Sequence, residues 1–97
     1  MNPSLQSLVE KVLEDAARRT GMPVTRLQVL SAESVTWSDG SLGCPQEGMN
    51  YTQALVSGFL VRVQAGDELL EYHAGKDGKA FLCPPESALP PLPDGAI

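Results

Sequence analysis

The stretch running Trp37-Ser-Asp-Gly-Ser-Leu-Gly-Cys-Pro-Gln-Glu-Gly-Met-Asn-Tyr-Thr-Gln53 constrains this chain more than any other. Its seventeen residues hold three glycines, a proline, a cysteine, the single tryptophan and one of the two tyrosines. Glycine and proline at that density break the periodicity of helix and strand alike, which makes the segment a structured loop. The residues on either side read as strands.

Before the loop, Leu5, Leu8, Val9, Val12, Leu13 and Ala16 recur at spacings of three and four, while Gln6, Glu10, Lys11, Glu14 and Arg18 face away. This predicts an amphipathic helix from about Pro3 to Thr20. Asn2 serves as the cap, Pro3 takes the first helical position, and Gly21 followed by Pro23 ends the helix. Arg18 and Arg19 in the last turn suit the helix dipole, and Glu14 with Arg18 is a favourable pair four residues apart. From Val24 to Trp37 the alternation is broken: Leu27 and Val29 share a face with Val35 and Trp37, but Ser31 and Glu33 interrupt it. A bulge in the middle is expected to bring the apolar residues onto one side. Asp39-Gly40 then turns the chain.

After the loop, Ala54–Gln64 reads as a long strand with Leu55, Phe59, Val61 and Val63 on one face and Gly58 as a bulge or point of close approach. Turns at Ala65–Glu68 and Gly75–Gly78 separate it from strands at Leu69–Ala74 and Lys79–Cys83. Connections of about four residues make these three an antiparallel meander. The side on which the first strand joins is left open. The fold class is α+β, with one N-terminal amphipathic helix packed on a curved four-stranded antiparallel sheet. The domain is expected to span residues 1–83. Residues 84–97 carry five of the eight prolines and are expected to form an extended, flexible tail.

At 97 residues the chain is one domain with a small core. Twelve acidic against seven basic side chains leave a charge of −5, which repels a phosphate backbone and argues against a nucleic-acid partner. The longest apolar run, Ala54–Val61, is interrupted by Ser57-Gly58 and far short of a bilayer span, so no membrane insertion is expected. No basic start followed by an apolar run is visible near the N-terminus; an exported form would have lost its signal or carry it outside this stretch. Cys44 and Cys83 permit one disulfide without demanding it, and two reduced thiols in a cytoplasmic protein remain the other reading.

With these residues in place, the chain resembles a family of small bacterial domains of unknown function. The likeness rests on Trp37-Ser-Asp-Gly-Ser-Leu-Gly-Cys44-Pro45, Gly48-Met-Asn-Tyr51-Thr-Gln53, Tyr72-His73 and Leu82-Cys83, and covers roughly residues 5–83. The resemblance implies an extracytoplasmic setting, at the cell envelope or secreted, and a Cys44–Cys83 disulfide; it implies no activity. The architecture is also similar to cystatin-like domains in general shape. Gln53-Ala-Leu-Val-Ser-Gly58 differs from the cystatin Gln-x-Val-x-Gly loop, because Val56 is displaced by one position, and the run reads as strand.

Catalytic constellations are weak. Cys44 with the single histidine, His73, is the one thiol arrangement open to an enzyme or redox protein, and it fails if the cysteines are bonded to each other. Cys44, His73 and Cys83 lack the paired spacing of a zinc site, the carboxylates of Asp67 and Glu68 sit in a turn, and Gly40, Gly43 and Gly48 have neither lysine nor following helix to cradle a phosphate. No cofactor or metal is implied. The remaining expectation is a non-enzymatic module contacting a protein or peptide through the loop, with Trp37, Leu42, Glu47, Met49 and Tyr51 as candidate binding residues. The opposing reading has Trp37 and Tyr51 packed inward to pin the loop, and a purely structural domain is the third possibility. Oligomeric state is not legible.

Overall fold

The structure, a computed structural model, describes residues 5–93. The apolar stripe forms a helix, α1, over Leu5–Thr20, with Leu8, Val12 and Ala16 buried and Leu5, Val9 and Leu13 packed at the margins of the same core. The expected start at Asn2 and Pro3 lies outside the described residues. Gly21 ends the helix at φ 73°, its N–H donating to the Ala17 carbonyl at 2.9 Å. The arginines of the last turn do not use Glu14. Arg18 and Arg19 both reach Asp15, one turn back on the side nearer the sheet.

The first strand, β1, covers Leu27–Trp37, shorter than expected because Val24–Arg26 form a single tight turn closed by Arg26 N–H to the Pro23 carbonyl. The second, β2, covers Val56–Ala65; the third, β3, Glu68–Gly75; and the fourth, β4, only Phe81–Leu82. The order across the sheet is β1-β2-β3-β4, with every pair antiparallel, so the first strand joins on the β2 side. Gly66, at φ 63°, lets Ala65 pair with Glu68 across a two-residue turn. Pro84 has no N–H to continue the last ladder, and Lys79 is held back in its turn by the Asp77 carboxylate, which leaves β4 two residues long.

The bulge in β1 lies between Val29 and Ser31. Its effect is the reverse of the one expected. Leu27 and Val29 pair with Ala65 and Val63, and Ala32 with Val61, on the face under α1. The extra residue shifts Val35 and Trp37 to the opposite face, where their partners are Gly58 and Val56. The sheet is therefore apolar on both sides. Under α1 lie Val61, Val63, Ala65, Leu70, Tyr72 and Ala74. On the other face Trp37, Leu60 and His73 are fully buried, which requires a second cover.

Tyr72 links the helix to the sheet. Its hydroxyl donates to Asp15 Oδ2 at 2.6 Å across 57 positions of sequence. Burial and the adjoining Asp15 carboxylate push the Tyr72 phenol well above its ordinary range, so it stays a donor at all physiological pH values.

Candidate functional site

The second cover is the loop between β1 and β2, and Trp37 is what it covers. The indole is 0% exposed. It stacks on the His73 ring at 4.5 Å and 19°, and its Nε1–H donates to the Ala74 carbonyl at 2.9 Å. Two glycines permit that position. A Cβ on Gly58 would stand 2.0 Å from the Ala74 oxygen and 2.7 Å from Trp37 Nε1, and one on Gly43 would stand 2.5 Å from Trp37 Cζ3. Gly58 is thus the point of close approach, lying flat in a regular ladder. Burying an indole of this size is worth about 5 kcal/mol before its entropy cost.

The loop above the indole is tied at several points. Asp39 Oδ1 accepts from Ser41 N–H at 2.9 Å and from the Ser41 hydroxyl at 2.6 Å, closing an Asx turn. Those bonds hold the Asp39 carboxyl below its ordinary value. Leu42 and Gly43 follow at φ 57° and 73°; positive φ at leucine is uncommon and persists where surroundings dictate it. Here that turn aims the Leu42 carbonyl at His73. Gly40 N–H donates to the Thr52 carbonyl at 2.8 Å, and Gln46 N–H to the Tyr51 hydroxyl at 3.0 Å. Cys44 and Cys83 are joined by a disulfide, with Cα atoms 5.9 Å apart.

His73 is enclosed. Its Nδ1 lies 2.6 Å from the Leu42 carbonyl, which can only accept, so Nδ1 carries a hydrogen and donates. Its Nε2 lies 2.7 Å from Glu71 Oε2, and Glu71 Oε1 accepts from Arg62 Nε at 3.2 Å. Burial opposes ionisation of Glu71, but the hydrogen bonds from His73 and Arg62 outweigh it and hold the carboxyl below its ordinary value. The chain Leu42–His73–Glu71–Arg62 connects the loop to β3 and β2.

The five loop candidates therefore divide. Trp37 has no surface to offer a partner, Leu42 and Tyr51 are half-buried and hold the loop's shape, and Glu47 and Met49 stand out at its tip, Met49 being 58% exposed. Cys44 meets Cys83 and not His73, whose two ring nitrogens are taken by Leu42 and Glu71. Among the described residues no group of three or more metal-ligating side chains gathers, and no helix is long and apolar enough to cross a membrane. Sequence reasoning did not find Glu71, which lies in no motif, or the Asp15–Tyr72 bond, whose partners stand 57 positions apart.

The chain after Cys83 also touches the loop. Leu89 N–H donates to the Gly43 carbonyl at 2.8 Å, and Leu92 N–H to the Thr36 carbonyl at 2.9 Å. Pro91–Pro93, with Glu33, Thr36, Phe59 and Lys76, line a cleft of about 600 Å³ beside the end of β1. No signal for this return exists in the proline-rich composition; residues 94–97 lie outside the described part.

Comparison with curated proteins and with solved structures finds no match. A family model described as a domain of unknown function (DUF8738) matches residues 9–83, from the first turns of α1 through the second cysteine of the disulfide. The match takes in most of the helix, all four strands, the loop and both cysteines, and so the chain belongs to this family of domains of unknown function.

Proposed function

We propose that this domain is a non-enzymatic binding module that contacts a protein or peptide through the tip of the 37–53 loop, and that it belongs to a bacterial family sharing the Trp-x-Asp-Gly-Ser-Leu-Gly-Cys-Pro segment and working outside the cytoplasm. The observation that carries the reading is the contrast between the loop's base and its tip. The base is locked by a disulfide, an Asx turn and a buried indole, while Gln46–Asn50 at the tip are exposed and include Met49. A rigid loop loses little entropy on binding, and a flexible, polarisable methionine on it adapts to an apolar partner. A disulfide in a domain this small supports an oxidising compartment. The thiol enzyme is disfavoured for the same reason: both cysteines are bonded and His73 is buried against carbonyl and carboxylate.

The test is capture by immobilised domain from an envelope extract, comparing the native chain with Glu47→Ala and Met49→Ala and with a control change at Lys11 on the far side of α1. Loss of a specific band with the two loop changes but not with Lys11→Ala supports the reading. Equal capture by all of them overturns it.

A further inference from the structure

The two sides of the sheet end differently. At the β1 edge, the bulge between Val29 and Ser31 breaks the ladder and Leu92 N–H already occupies the Thr36 carbonyl. Both features discourage another strand from pairing there. The β3 edge is different. β4 pairs only with Tyr72 and His73, and the last bond on that side runs from Cys83 N–H to the Glu71 carbonyl at 2.9 Å. Continued by two residues, the ladder would set Pro85 opposite Leu69, and proline has no N–H to give. The chain instead turns away at Pro84, whose carbonyl accepts from Ser87 and Ala88. By the alternation of a strand, Leu69 directs its backbone groups to the same side as Glu71, so the start of β3 presents an unextended edge. A cleft of about 490 Å³ lies along it, with Leu69, Leu70, Leu82 and Pro84 as its apolar lining and Asp67 and Glu68 at its rim. Asp67 and Glu68 are exposed and form no ion pair among the described residues.

We infer that the open edge at Glu68–Leu70 takes a short extended peptide segment carrying lysine or arginine, added to the sheet as a strand beside β3. The backbone of Leu69 supplies the main-chain pairing, the exposed Leu69 side chain meets an apolar residue of the peptide, and Asp67 and Glu68 select basic residues flanking it. Charge argues against a second copy of this chain: antiparallel pairing that sets Leu69 opposite its own copy puts Asp67 across from Glu71 at both ends, acid against acid. The site is separate from the loop tip and does not rest on the loop reading.

The test is a titration of the intact, oxidised domain, labelled with ¹⁵N, with the blocked peptide Lys-Val-Lys-Val-Lys, its glutamate counterpart Glu-Val-Glu-Val-Glu, and the basic peptide N-methylated at its central valine. The expected result is movement of the Glu68–Glu71 amide signals with the basic peptide alone, weakened by salt. The double change Asp67→Lys, Glu68→Lys weakens binding about tenfold or more while leaving the other signals in place, and Met49→Ala leaves the titration unchanged. Binding by the glutamate or the N-methylated peptide, movement confined to residues 46–50, or no movement at millimolar basic peptide overturns the inference. A concentration-dependent dimer whose formation moves the Glu68–Glu71 signals overturns it too. Only movement at the loop tip would speak to the other proposal, so the two fail separately.

Discussion

Gly58 and Gly43 decide where Trp37 can sit, and they do so by lacking a single carbon. Replacing Gly58 with alanine drives a methyl into the Ala74 carbonyl and the indole nitrogen. Backbone atoms cannot swing aside, so the expected cost is about 3 kcal/mol, at the upper end of overpacking changes; a urea titration of Gly58→Ala against the native chain checks it. Trp37→Phe probes the same place from the other side. Phenylalanine keeps apolar bulk but leaves the Ala74 carbonyl without its donor, for a loss of about 1–3 kcal/mol in the same measurement. The pattern of special residues around Trp37 was visible in the sequence as a loop. Which face the indole would take was not, because the bulge that shifts it lies among residues, Val29 to Ser31, with no distinguishing chemistry.

Between elements, the Asp15–Tyr72, Arg62–Glu71 and His73–Leu42 contacts carry the polar part of the packing. Tyr72→Phe removes the hydroxyl that joins α1 to β3, with an expected loss of about 1–3 kcal/mol. The same change should raise the Asp15 pKa, which a carboxyl NMR titration reads directly. At Asp15 burial favours the neutral acid, but the hydrogen bonds from Tyr72, Arg19 and Arg18 prevail and hold the carboxyl below its ordinary 3.8; Glu71 is likewise held below 4.5. A carboxyl lowered by folding contributes stability that is complete above its unfolded value and is lost as pH falls through the folded one. Stability is therefore expected to decline below about pH 4.5, with Glu71 contributing first and Asp15 at lower pH. Urea midpoints between pH 7 and pH 2 test this, and Glu71→Gln should make the decline shallower. The two helix arginines illustrate the limit of local reading. Spacing favoured Glu14 for Arg18, but Asp15 lies on the flank that meets Tyr72, so tertiary contact chose the acid.

In the whole molecule the disulfide closes the loop over the second face and joins it to the end of the meander. Removing it in the double change Cys44→Ser, Cys83→Ser opens a loop of 39 positions and is expected to cost about 4 kcal/mol on the chain-entropy account. For a domain of this length that is a large share of a total on the order of 5–10 kcal/mol. Thermal unfolding should show a fall in midpoint of more than 10 °C. Because both cysteines are buried, the native protein should keep the bond in mild reductant until urea exposes it. The sequence by itself determined the helix, the strand count, the antiparallel meander and the place of the loop, since those follow from periods of 3.6 and 2 and from glycine and proline within a few residues. Only the tertiary structure decided that the sheet is covered on both faces, that His73 lies sealed between Leu42 and Glu71, and that the chain beyond Cys83 returns to Gly43 and Thr36. Those features depend on the contacts of Leu42 with His73, Gly43 with Leu89 and Thr36 with Leu92, which lie 31 to 56 positions apart, and no local pattern of side chains encodes which distant backbone group a buried donor will meet.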